Sequence, residues 1–276
     1  MTTKKVLSKF LLIVFMAIIV NGGIWYYMGS EKALQFLGGY IIELSLSVDN
    51  LFLFLLIFSS FKIEPKYQKR VLKYGIIGAI FLRLIFVLLG VAVVNKFKWI
   101  IYVFGILLIL SGIKILANKE EDVSFEDSKL LKLLKKFIPV TEELHNEKFF
   151  VRIHNVLYAT PLFAILFLIE GSDVIFAIDS IPAIFAITTD PFIIYISNIF
   201  AILGLRNLYF LLEKLHSSFE YVKYGVGVIL LFTGIKLGIS FKYHIPVATS
   251  IFIIVSILAI SVLCSIIINK RTEFQN

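Results

Sequence analysis

Residues 156–187 read VLYATPLFAILFLIEGSDVIFAIDSIPAIFAI, a stretch whose only charged groups are Glu170, Asp173 and Asp179. A helix needs about 20 apolar residues to cross a hydrocarbon layer about 30 Å thick. This run is long enough to do so while carrying three carboxylates. An ionised carboxylate at the centre of a lone span costs about 2.5–3.5 kcal/mol even on lenient insertion scales, so acids in such a segment mark function by default. Glu170 and Asp173 are three residues apart and project from nearly one helix face. The stretch therefore predicts a membrane protein with a working interior.

Seven further apolar segments meet the same yardstick, at about residues 7–28, 34–58, 71–94, 98–117, 191–213, 221–240 and 245–268. The fold class predicted is all-α, a polytopic membrane protein of about eight transmembrane helices. Composition agrees: 59% of the 276 residues are hydrophobic and 17% charged, against about 25% charged in soluble domains. The net charge of +8 suggests nucleic acid only if the basic residues cluster on an exposed face. Here they lie between apolar runs, so no nucleic-acid partner is expected. A single cysteine, Cys264, excludes a disulfide framework within one chain. The first run, preceded by Lys4, Lys5 and Lys9, is too long for a signal peptide and lacks a small-residue cleavage site, so it reads as a retained helix.

Counting Lys and Arg in alternate loops places 19 on the side of both termini and four on the other. The excess marks the cytoplasmic side, so a cell-membrane protein with both termini cytoplasmic is expected. The one long polar segment, residues 118–155, falls on that side. Within it Leu130, Leu131, Leu134 and Phe137 recur at helical spacing opposite Lys129, Lys132, Lys135 and Lys136. That pattern suits either an amphipathic helix on an anionic lipid surface or a solvated linker helix. His145 and His154 lack metal-ligand spacing and read as surface residues.

Laying the first half on the second shows an internal repeat. Asp49 to Arg83 is 34 residues and Asp173 to Arg206 is 33; Arg83 to Lys114 is 31 and Arg206 to Lys236 is 30. Gly112-Ile113-Lys114 matches Gly234-Ile235-Lys236. The organisation predicted is an N-terminal helix and loop (1–33), a first three-helix repeat (34–117), the cytoplasmic loop (118–155), a second repeat (156–240) and a C-terminal helix and tail (241–276). Three spans per repeat make the repeats inverted. Inverted repeats build many secondary transporters, with sites near the midplane on broken helices; packing alone is the other reason for such a duplication to persist.

Five acids lie inside spans: Glu43, Asp49, Glu170, Asp173 and Asp179. Ser45, Ser47, Asn50, Ser172, Ser180 and Asn198 add hard oxygen and amide groups, a set that suits Mg²⁺, Mn²⁺ or Ca²⁺ better than Zn²⁺ or Cu⁺. Pro182 cannot donate to the carbonyl of Ile178, which frees an oxygen toward a cavity or simply kinks the bundle. Arg83 and Arg206 are candidate ion-pair partners for the acids. Five acids against two deep arginines leave negative charge for a divalent cation or for protons to neutralise.

At these residues the chain resembles the TerC family of integral membrane proteins, associated with tellurite resistance and manganese export. The resemblance rests on Glu43-Leu-Ser-Leu-Ser-Val-Asp49-Asn50, on Glu170-Gly-Ser-Asp173-Val-Ile-Phe-Ala-Ile-Asp179-Ser180-Ile-Pro182, and on Asp190-Pro191-Phe192 and Ser197-Asn198-Ile-Phe-Ala-Ile-Leu-Gly-Leu-Arg206. It covers roughly residues 30–240 and extends to the wider LysE exporter group. It implies a metal-ion site of Glu43, Asp49, Asn50, Glu170, Asp173 and Asp179; the hard groups of Ser47, Ser180 and Asn198 and the guanidinium groups of Arg83 and Arg206, read from the sequence itself, are expected in support. It also implies export of Mn²⁺ or another hard divalent cation as substrate, for which the inverted repeats suggest one repeat rocking against the other. No enzyme activity and no prosthetic group are expected. Two other classes stay open: an accessory factor that supplies metal to exported proteins or meets secretion machinery through the 118–155 loop, and a membrane-integral hydrolase. Nothing in the sequence suits tellurium oxyanion chemistry.

Overall fold

The computed structural model describes residues 3–61, 63–117, 129–215, 222–240, 242–243 and 245–273. Their helices are α1 (Thr3–Met28), α2 (Ser30–Ser60), α3 (Pro65–Lys96), α4 (Ile100–Leu116), α5 (Lys129–Phe137), α6 (Pro161–Phe185), α7 (Pro191–Leu215), α8 (Val222–Ile239) and α9 (Val247–Glu273). A helix lies at each of the eight expected positions. Four are long and apolar enough to cross a membrane by length and composition: Leu7–Met28, Pro65–Lys96, Pro161–Phe185 and Val247–Ser265.

Local chemistry sets the boundaries. Pro65, Pro161 and Pro191 each open a helix, where the missing N–H costs nothing. Asp190 caps α7 by accepting from the amides of Phe192 and Ile193. Gly29, at φ 89°, makes the one-residue break between α1 and α2, a left-handed conformation that side chains resist. α6 runs through Pro182 and ends one turn later at Phe185.

Two sequence expectations change here. The fifth apolar run does not begin its helix at residue 156. Val156–Ala159 is a strand, β2, paired antiparallel with β1 (Phe150–Ile153). His154 and Asn155, both at positive φ (48° and 65°), form the two-residue turn, the geometry that matches strand twist in hairpins. The all-α reading thus gains a small hairpin. The amphipathic helix exists as α5, yet its apolar face meets protein. Leu131 and Leu134 are buried with Leu162, Ile165 and Leu168 of α6, while Phe137 is 79% exposed. Residues 118–128 of the same loop lie outside the described residues.

Large apolar side chains cover the outside of α1 and α9, among them Phe15, Ile18, Phe252 and Ile260. Exposed apolar surface on this scale suits lipid rather than water. Inside, α2 packs on α7, α3 on α6 and α4 on α8. The α4–α8 contact is backbone on backbone. A Cβ on Gly105 would stand 2.9 Å from the carbonyl oxygen of Gly234, and one on Gly112 would stand 2.7 Å from that of Gly227. Only glycine permits that approach, as in other close-packed membrane helices.

Candidate ion-binding site

The chemistry sits where α2, α3 and α6 face one another. Glu43 of α2 is fully buried, and its charge is met by Arg83 of α3, itself 6% exposed. The guanidinium forks the carboxylate: Nη2 donates to Oε1 at 2.7 Å and Nη1 to Oε2 at 3.3 Å. Ser47, one helical turn along α2, donates to Oε1 at 2.9 Å. Arg83 Nη1 also donates to Ser180 Oγ on α6. One buried network therefore ties three helices, and every oxygen of Glu43 is hydrogen-bonded. A buried charge persists only when paired and bonded in this way.

Two cavities flank the network and share Ser47 on their walls. The smaller, about 20 Å³, is lined by Ser47, Arg83 and Asp173 with Leu51, Phe54, Ile202 and Leu205. That is room for one water. The larger, about 240 Å³, is lined by Ser47, Ser111, Lys114, Asp179 and Ser180 with apolar neighbours. Asp179 accepts from Ser111 Oγ at 2.9 Å, which links α6 to α4. Asp173 and Asp179 thus face separate spaces along one helix.

The remaining expected residues are distributed around this layer. The Glu170 carboxyl packs over Gly78 of α3, where a Cβ would come within 2.6 Å of it. Leu130 of α5 packs in the same manner over Gly171, beside Glu170. Asn198 of α7 is fully buried, and neither its amide oxygen nor its nitrogen has a hydrogen-bond partner among the described residues. The side chains of Asp49, Asn50 and Arg206 lie outside the described residues. Among the described residues no three acidic, histidine or cysteine side chains come together as a metal-binding group. Of the cluster expected of Glu43, Asp49, Asn50, Glu170, Asp173 and Asp179, the described part has Glu43 paired with Arg83, and Asp173 and Asp179 lining different cavities. Ser111 and Lys114 are lining residues the sequence reading did not single out for the site. Their signal was a serine and a lysine in an otherwise apolar span.

The sequence pattern of the "Integral membrane protein TerC family" matches residues 28–273. The chain is 44% identical over 283 residues to the "Putative membrane-bound redox modulator Alx" of Escherichia coli K12, covering 100% of this chain and 88% of that one. It is 45% identical over 262 residues to the protein of the same name from Photorhabdus laumondii, covering 92% and 82%. It is 43% identical over 268 residues to the "Uncharacterized membrane protein STKORF319" of Myxococcus xanthus, covering 97% and 84%. No solved structure matches the chain. The chain belongs to the TerC family of integral membrane proteins.

Proposed function

We propose that this protein is an exporter of a hard divalent cation, Mn²⁺ in the first place, in the cell membrane with both termini cytoplasmic. The observation that carries the reading is a single helix, α6, that presents Asp173 to one cavity and Asp179 to another, on either side of a neutralised Glu43/Arg83 pair. Carboxylate, hydroxyl and amide oxygens favour hard cations. A cation leaving the cytoplasm by way of Asp173, past Ser47, to Asp179 meets carboxylate and hydroxyl oxygens, and the two carboxylates offset the charges of Arg83 and Lys114 on the same walls. Asn198, Asp49 and Asn50 complete the proposed ligand supply, and protons on the same acids offer the exchange that resets them.

Eight crossings and inverted repeats belong to this reading. The two glycine contacts support it, because an offset of 122 residues carries Gly105 onto Gly227 and Gly112 onto Gly234, exchanging one contact for the other. The pairing of α2 with α7 and of α3 with α6 has the same reciprocity. That packing alters the motion expected from sequence. Each repeat touches the other more than itself, so rocking one repeat as a rigid body would break α2–α7, α3–α6 and α4–α8 together. Sliding along the α2–α7 and α3–α6 seams leaves the glycine contact of α4 and α8 as the pivot.

The word "redox" in the relatives' names is not carried over to a dithiol couple here, since the chain has one cysteine. An accessory role in supplying metal to exported proteins is favoured by one observation, the exposed Phe137 and Leu133 beside the lysines of α5. Phe137→Ser distinguishes the two: an exporter keeps transport, an accessory factor loses its partner. Proteoliposomes offered Mn²⁺, Mg²⁺, Ca²⁺ and Zn²⁺ separately test the main reading. Protein-dependent Mn²⁺ movement exceeding that of Zn²⁺ is expected; no movement of any of the four overturns it.

A further inference from the structure

A third cavity, about 670 Å³, opens on the face of the bundle opposite α5 and the hairpin, between the starts of α2 and α7 and the ends of α3, α6 and α8. We propose that this cavity binds a small oxyanion, anchored by the ammonium of Lys236. The inference is separate from cation export, because it concerns a different cavity and the opposite charge.

Lys236 is 8% exposed and lies on the cavity wall. Its Nζ donates to Ser250 Oγ at 2.6 Å, and it forms no ion pair among the described residues. Ser250 is fully buried and passes its own proton to the carbonyl of Pro246. A hydroxyl of this kind solvates an ammonium without compensating its charge, and two N–H groups remain. A buried charge requires a counter-charge, and none is paired with it among the described residues.

The two acids of the cavity are already engaged or peripheral. Asp190 accepts from Lys32 at 2.6 Å and from the first amides of α7, so its oxygens are taken. Glu31 is exposed and accepts from Gln35. Thr188 gives its proton to Gln35. What remains on the wall is a set of donors: the Lys236 ammonium, the Asn95 amide and the hydroxyls of Thr189 and Tyr243. One positive charge with several neutral donors suits an ion with several acceptor oxygens better than a halide. A divalent cation is repelled by the same ammonium. Phe185, stacked on Phe104 and packed against Gly90, lies on the cavity wall five residues beyond Ser180.

The test is binding by purified full-length protein in phosphatidylcholine nanodiscs. Its melting temperature is followed against sodium sulfate, phosphate and acetate, with ionic strength held constant by chloride. A saturating rise with at least one of the three is expected, and the one that acts distinguishes a tetrahedral anion from a carboxylate. The rise is lost in Lys236→Gln and kept in Lys98→Gln, a change at an exposed lysine that lines none of the three cavities. If Lys236→Gln does not fold, Asn95→Leu with Thr189→Val takes its place, with an expected affinity loss of at least about fivefold, the worth of roughly one hydrogen bond. No saturating rise in the wild type, or unchanged affinity in the variants, overturns the proposal. No transport is measured, so failure here leaves the export reading untouched.

Discussion

Two arginine–glutamate ion pairs, one forked and one single, stand at different depths and have different consequences. Arg83 and Glu43 meet at 2.7 Å with side chains 6% and 0% exposed; Arg70 and Glu147 meet at 3.0 Å with 35% and 47%. The first pair is shut off from bulk solvent, so each charge depends on the other and on Ser47 and Ser180. In the second, solvent screens both charges and accepts either one alone. The comparison shows why identical chemistry fixes three helices in one place and only trims a surface in another. Lys32 and Asp190 lie between these limits, at 33% and 21% exposure.

The largest effect is expected at the buried pair. Arg83→Met strands the Glu43 carboxylate and should cost about 3–5 kcal/mol, seen as loss of folded protein in size-exclusion chromatography and melting. Adding Glu43→Gln in that background should recover much of the loss. Wild-type melting of Arg83→Met alone would break the comparison, because Glu43 would then have another source of compensation.

Next comes the glycine contact. Gly234→Val places a side chain where a Cβ already stands 2.7 Å from the Gly105 carbonyl oxygen. Overpacking of this kind costs about 1–3 kcal/mol, and Gly105→Val should do the same for the same reason. Gly238→Ala, with nothing within 4 Å of its Cβ, is the matched control and should melt close to wild type.

The intermediate pair carries a pH signature. Burial works against the Asp190 carboxylate, but the hydrogen bond and charge of Lys32 and the amides of Ile193 and Phe192 outweigh it and hold its pKa below the ordinary value. A depressed carboxyl contributes stability that is present above the unfolded value and lost as pH falls through the folded one. Asp190→Ala should therefore cost about 1 kcal/mol at neutral pH, as for other N-cap losses, and the gap from wild type should close below about pH 4. A gap that widens on acidification contradicts the assignment. Glu147→Gln should change melting least, by about 0.5 kcal/mol or less, and a larger change would mean that the Arg70 pair is shielded from water.

Much of the fold was legible because the bilayer imposes a simple length rule: a helix lies at each of the eight apolar runs, and four of these helices are long and apolar enough to cross. The start of α6 was not. Val156-Leu157-Tyr158-Ala159 is as apolar as the helix it precedes, so hydropathy could not separate them; the signal lay in Pro161 and in the His154-Asn155 turn. Of the site, the acids were evident because charge in a greasy helix is rare. Their partners were not, since which acid Arg83 takes depends on how α3 packs across α2 and α6. The docking of α5 was missed for a similar reason: an amphipathic face looks the same to a membrane and to Gly171.

The most direct test of the central claim is Mn²⁺ entry into proteoliposomes loaded with a metal-quenched dye, comparing wild type with Asp173→Asn and Asp179→Asn variants shown to be folded. The account predicts protein-dependent quenching in the wild type that falls at least about tenfold in each variant, a loss equivalent to roughly 1.4 kcal/mol on the barrier. Wild-type quenching rates in both variants would contradict it.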